Sequence, residues 1–136
     1  MLKVATALQL QRKTVLKREN RLKNKRAFSA TYNNHDVVSD KIITAYIGKV
    51  KDNKSCPTRV GFVVSKKIHK RAVKRNKIKR LIRENIRLML KNKELANIED
   101  YQSLIFIAKQ NILDKDFKEI RNAILILMDK LANKNI

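Results

Sequence analysis

Between residues 66 and 87 the chain carries Lys66, Lys67, Lys70, Arg71, Lys74, Arg75, Lys77, Lys79, Arg80, Arg83 and Arg87 against a single acid, Glu84. Burying unpaired charge is costly, so this stretch has to keep one side in solvent. From Arg71 to about Asn92 it contains neither Gly nor Pro, and helix formers dominate. At about 100° per residue, Ile78, Ile82 and Met89 fall on one line, flanked by Leu81 and Ile86. Asn76, Arg80, Arg83 and Arg87 form a separate stripe, about a third of a turn away. The spacing predicts a helix that buries one side and presents cations on another.

The same sign dominates the whole chain. Its 136 residues hold 33 Lys+Arg and 12 Asp+Glu, a formal net charge of +21. Nearly half of that excess sits in residues 66–87, most of the remainder lies in residues 1–33, and residues 94–136 are close to neutral. Self-repulsion on this scale is tolerated when a polyanion neutralises it, so nucleic acid leads the partner classes. A helix charged only for solubility would mix Glu with Lys. The length suits one domain, and 43% hydrophobic content can supply its core. No apolar run approaches the ~18–20 residues that span a bilayer, the longest being Ala123 to Met128. Met1 to Leu10 has a short apolar patch but no convincing cleavage site, so it does not read as a secretory signal. Cys56 is the one cysteine, which excludes an internal disulfide and a multi-Cys zinc site; it reads as an inert thiol in a reducing cytosol.

Around the basic helix the expected order is helix, strands, helix, strand, helix. Residues 1–15 lack periodicity and read as a flexible basic leader, leaving 16–136 as a single domain. A short helix is expected from about Asn24 to Asn33, with Ala27, Phe28, Ala30, Thr31 and Tyr32 on one side. Turn chemistry at Asn33-Asn34-His35-Asp36 precedes a short extended piece at Val37-Val38 and a strand over Lys41–Val50. A loop at Asp52–Thr58 leads to a strand over Arg59–Ser65, in which Gly61 permits a close approach or a bulge. Ser103–Lys109 is apolar enough to be a central strand. Asp116-Phe117-Lys118-Glu119 resembles an Asp-led capping box opening a helix to about Ala132, with Ile120, Ala123, Ile124, Leu127 and Leu131 inward. This is an α/β pattern of the α+β two-layer kind, helices packed on a mixed sheet.

Side-chain chemistry is sparse. His35 and His69 lie in different segments and read as surface residues. Asp36, Asp40 and Asp52 sit near loops without metal-ligand spacing. There is no phosphate-cradling Gly-rich loop, zinc pattern or nucleophile motif. The polypeptide is expected to break no bonds by itself.

The stretch RVGFVVSKKIHKRAVKRNKIKRLIRE, Arg59 to Glu84, resembles the signature of the bacterial ribonuclease P protein component. The hallmark residues are Arg75-Asn76-Lys77, Lys79-Arg80 and Arg83-Glu84, preceded by Arg59-Val60-Gly61 and Val64-Ser65-Lys66-Lys67. Upstream, Leu16-Lys17-Arg18-Glu19-Asn20-Arg21-Leu22 with Phe28 is similar to the N-terminal pattern of that family. The resemblance covers roughly residues 16–133. Two positions depart from it. Lys77 stands where Arg is usual, keeping the charge but losing the planar fork. His69 stands where many members have Gly.

The resemblance implies a protein cofactor in an endoribonuclease whose large RNA subunit does the chemistry. That subunit uses bound Mg to remove the 5′ leader from precursor tRNA, and the protein holds no metal firmly by itself. The implied contacts to the catalytic RNA are Lys66, Lys67, Lys70, Arg71, Arg75, Asn76, Lys77, Lys79, Arg80 and Arg83. The implied cleft for the single-stranded leader uses Phe28, Tyr32 and Tyr46; a small core cluster is the other reading of these three. A cytoplasmic protein, monomeric when free and binding neither DNA nor membrane, is implied as well. So is a left-handed crossover between the strand ending at Ser65 and that beginning near Ser103, where general rules favour the right-handed form. Rival readings are a small ribosomal protein, a DNA-binding regulator with the basic helix in a major groove, and a protein-only nuclease.

Overall fold

The β-branched segments pair into one sheet. The computed structural model describes residues 20–34, 36–53, 55–92, 94 and 96–134. In it, α1 (Lys25–Asn33) is followed by β1 (Asp36–Ser39), β2 (Ile43–Ile47), β3 (Arg59–Val63) and the long α2 (Ala72–Lys91). A 3-10 turn at Ala96–Asp100, β4 (Ser103–Ala108), a second turn at Gln110–Ile112 and α3 (Phe117–Lys134) complete the order. The expected basic leader and His35 lie outside the described residues. The spatial order is β1-β2-β4-β3, with β3 and β4 parallel and the other pairs antiparallel. The expected mixed sheet is present, and Ser103–Ala108 is one of its two inner strands.

Strand β2 is shorter than the β-branched run suggested. Asp40 N–H donates to Ile43 O at 2.8 Å, which turns the chain before Ile43. At the other end the regular strand stops at Ile47, and only scattered pairing continues: Gly48 N–H donates to Ser103 O at 2.7 Å, Gln102 N–H donates to Lys49 O at 2.8 Å, and Val50 bridges Tyr101.

Strand alternation divides the sheet into two faces. One carries Ile43, Ala45, Ile47, Val60, Leu104 and Phe106 into the main core, shared with Ile78, Ile82, Ile86 and Met89 of α2 and Ile120, Ile124, Leu127 and Leu131 of α3. The expected inward lines of both helices are therefore the buried ones. Asn85 is also buried. Its Nδ2 donates to Leu81 O at 2.9 Å and to Phe117 O at 3.3 Å, which ties α2 to the start of α3. The α3 cap forms as its sequence suggested, with Glu119 N–H donating to Asp116 Oδ1 at 2.9 Å.

The other face carries Thr44, Tyr46, Gly61 and Ile105, and α1 lies against it. A Cβ on Gly61 would stand 2.7 Å from Phe28 Cζ and 3.2 Å from Leu22 Cδ2, so glycine is required by the close approach of the Phe28 ring. Thr31 and Ser103 hydroxyls meet at 2.5 Å, and Asn34 Nδ2 donates to Ile47 O at 3.0 Å. Gly61→Ala is expected to push the Phe28 ring off the sheet and lower stability by about 1–2 kcal/mol, as overpacking does. Chemical denaturation of the two proteins measures it; an unchanged midpoint would mean that Phe28 moves freely.

Candidate nucleic-acid interface

The cationic side of α2 faces solvent. Asn76, Lys77 and Arg80 are exposed, while Lys79 and Arg83 are half-buried. Before the helix, Lys66, Lys67, Lys70 and Arg71 are exposed around the buried anchor Ile68. The helix starts with Arg71 at its N-cap, with no side-chain cap and no acid in its first turn. This leaves a helix start whose amide dipoles and side chains share one sign, a setting that suits an anion.

Arg75 differs from its neighbours. It is half-buried, and its Nη1 donates to His69 O at 2.9 Å and Lys70 O at 2.7 Å. Part of its guanidinium is thus engaged in bracing the loop that precedes the helix. The residue lies in the basic patch, but its fork is not wholly turned outward.

Arg83 stands at the centre of the patch. Its guanidinium carbon lies 5.6 Å from the centre of the Phe62 ring, a cation–π arrangement. Burial first, then the nearby charges of Arg21 and Arg80, hold its pKa below the ordinary arginine range. Among the described residues neither Arg80 nor Arg83 forms a salt bridge. The like charges of Arg21 and Arg80 near Arg83 concentrate positive potential there, and planar guanidinium donors are chemically suited to bidentate contact with phosphate.

Arg21 belongs to this patch, although it was not among the residues expected to bind. It arrives there because its segment forms a parallel bridge with Val60, with Leu22 N–H donating to Val60 O at 3.0 Å. Asn20 Nδ2 fastens the same segment to Thr58 O at 2.8 Å. The available signal was the basic run Lys17-Arg18-Glu19-Asn20-Arg21 before Leu22; its partner strand lay too far along the chain to be inferred.

Phe28, Tyr32 and Tyr46 come together on the opposite sheet face. Tyr32 and Tyr46 meet edge to face, with ring centres 4.9 Å apart. Burial, and secondarily Tyr46, push the Tyr32 phenol above its ordinary pKa, so it remains a neutral hydroxyl at physiological pH. All three rings are half-buried. Phe28 lies over Gly61, whereas Tyr46 shares its strand face with Thr44 and meets Tyr32. Half-exposed rings on a sheet provide platforms for unpaired bases.

Among the described residues no three His, Cys, Asp or Glu side chains gather into a possible metal site. None of the helices among them is long and apolar enough to cross a membrane. Cys56 is exposed.

The sequence model of the family described as Ribonuclease P matches residues 16–132. The ribonuclease P protein component of Clostridium botulinum strain 657 is 37% identical over 118 residues, covering 87% of this chain and 99% of the relative. That of Alkaliphilus oremlandii is 34% identical over 116 residues, covering 85% and 94%. Among solved structures, the Staphylococcus aureus RNase P protein superposes with a TM-score of 0.64 at 30% identity, covering 82% of this chain and 94% of that one. The Thermotoga maritima RNase P protein shares the fold with a TM-score of 0.65 at 23% identity, covering 81% and 96%.

Proposed function

Because the chain belongs to the ribonuclease P protein family, we propose that it is the protein subunit of a tRNA 5′-processing ribonucleoprotein and works through two surfaces on opposite sides of its sheet. The observation that carries this reading is the one-signed, solvent-facing surface of α2 and the loop before it, centred on an Arg83 guanidinium set 5.6 Å from the Phe62 ring centre with the charges of Arg21 and Arg80 nearby. Lys66, Lys67, Lys70, Arg71, Asn76, Lys77 and Lys79 extend it, and Arg75 contributes what its loop hydrogen bonds leave free. This surface takes the phosphate backbone of the catalytic RNA.

The second surface takes the leader. Phe28, Tyr32 and Tyr46 offer faces on which successive bases stack, at about 1–3 kcal/mol per base and without demanding sequence. An enzyme that meets many different precursor tRNAs needs that tolerance. Fixing the leader on one side and the catalytic RNA on the other positions the scissile phosphate without any protein side chain touching it.

Mg supplies charge neutralisation and an activated water in such hydrolysis. The residues on these surfaces do not fit it, being cations and aromatic rings. The metal is assigned to the RNA, and the protein raises its affinity by fixing the substrate in place. The protein is taken to act as a monomer before assembly, in the cytoplasm.

Reconstitution tests the reading. Added to a bacterial ribonuclease P RNA at low Mg, the protein is expected to restore leader removal from precursor tRNA, scored by product size on a gel. Leader removal unchanged by the pure protein would sink it, and cleavage by the protein without RNA would replace it with a protein-only nuclease.

A further inference from the structure

His69, one of the two departures from the family pattern, is held by both its ring and its carbonyl. Arg71 N–H donates to His69 Nδ1 at 3.0 Å, and Arg75 Nη1 donates to His69 O at 2.9 Å. A ring nitrogen that accepts a hydrogen bond carries no proton, so the neutral imidazole keeps its proton on Nε2. The Nε2 N–H lies on the far edge of the ring from the Arg71 amide. Among the described residues it has no hydrogen-bond acceptor. The side chain is half-buried, and its loop neighbours Lys66, Lys67, Lys70 and Arg71 are all exposed cations.

We propose that His69 Nε2–H donates to a phosphate oxygen of the bound RNA, giving the field of cations one directional hydrogen bond. The proposal rests on the reading that this face binds the catalytic RNA. The surrounding lysines attract phosphate from any direction, as flexible point charges do. A fixed imidazole N–H engages it along one line, and the Arg75 brace holds that line relative to α2. A neutral donor displaces no counterion. Its removal therefore lowers affinity without changing the slope of binding against salt, whereas removal of a lysine lowers both.

The discriminating variant is His69→Asn. An asparagine bonds to the backbone amide two residues on, reproducing the hydrogen bond from Arg71, but its short side chain does not carry a donor to where Nε2 stands. His69→Asn is expected to melt with the wild type, bind ribonuclease P RNA about tenfold more weakly and keep the wild-type salt slope. In 15N-edited NMR of the wild type, the proton is expected on Nε2 in the free protein, and its resonance is expected to shift downfield when RNA is added. Wild-type affinity in the Asn variant would overturn the proposed hydrogen bond, as would a proton found on Nδ1. Failure of the wild type to bind the RNA would remove the proposed function and this hydrogen bond with it. Tight wild-type binding matched by the Asn variant would remove the hydrogen bond alone.

Discussion

Replacing Arg80 and Arg83 together by alanine is expected to weaken binding to ribonuclease P RNA by about two orders of magnitude. It should also flatten the log–log salt dependence by about two units, one for each phosphate no longer neutralised. The same change is expected to leave the free protein about as stable as before. The reason lies in the sign of the electrostatics. Arg83 has its pKa depressed by burial, by Arg21 and by Arg80, so its charged form is worse off folded than unfolded. A cation in that position detracts from stability throughout the neutral range, and removing it gives relief. Giving up the cation–π attraction to the Phe62 ring, worth about 0.5–1 kcal/mol, offsets that relief. Filter binding over a salt series and thermal melting of the same samples separate the two effects. An unaltered slope with lowered affinity would show that the arginines act through the shape of α2.

The second large effect is expected at Tyr46. In the assembled enzyme, Tyr46→Ala should reduce affinity for precursor tRNA by about 1–3 kcal/mol, the worth of one stacked base, and leave affinity for mature tRNA unchanged. Tyr46→Phe keeps the ring and should behave as wild type. Tyr46 also meets Tyr32 edge to face at 4.9 Å, so the alanine variant gives up about 0.5–1.5 kcal/mol of folding stability as well. Affinity measured for both RNAs separates the roles. Equal reductions for leader-bearing and mature tRNA would assign Tyr46 to packing.

Much of this site was readable in the chain itself. Of the α2 stripe of Asn76, Arg80, Arg83 and Arg87, Asn76 and Arg80 are exposed as periodicity suggested, because Ile78, Ile82, Ile86 and Met89 claim the interior, whereas Arg83 and Arg87 are half-buried. Helical spacing put Phe28 and Tyr32 on one side of their helix, and alternation put Tyr46 on the face shared with Thr44; the fold brings Tyr32 onto Tyr46 and Phe28 onto Gly61. What was not readable follows one pattern. Arg75 stood in the hallmark triplet, yet part of its fork is held by the carbonyls of His69 and Lys70. Gly61 stood out as a possible bulge or close approach, and only the fold shows that the Phe28 ring is what approaches it. Asn85 carried no expectation, and its Nδ2 joins α2 to Phe117.

Two kinds of information separate here. Helical and strand periodicity, charge and capping are properties of a few neighbouring residues, and their energies are settled within the segment. The sequence alone therefore determined that α2 would have an apolar and a cationic side, and that Ser103–Lys109 would supply a central strand. The nearness of the Arg21 charge to Arg83, the seating of Phe28 on Gly61 and the holding of His69 by Arg75 each depend on where separate segments come to rest. That is decided by the pairing of Arg21 with Val60 and by the fit of helices onto a shared core, sums of many small attractions that no local pattern encodes.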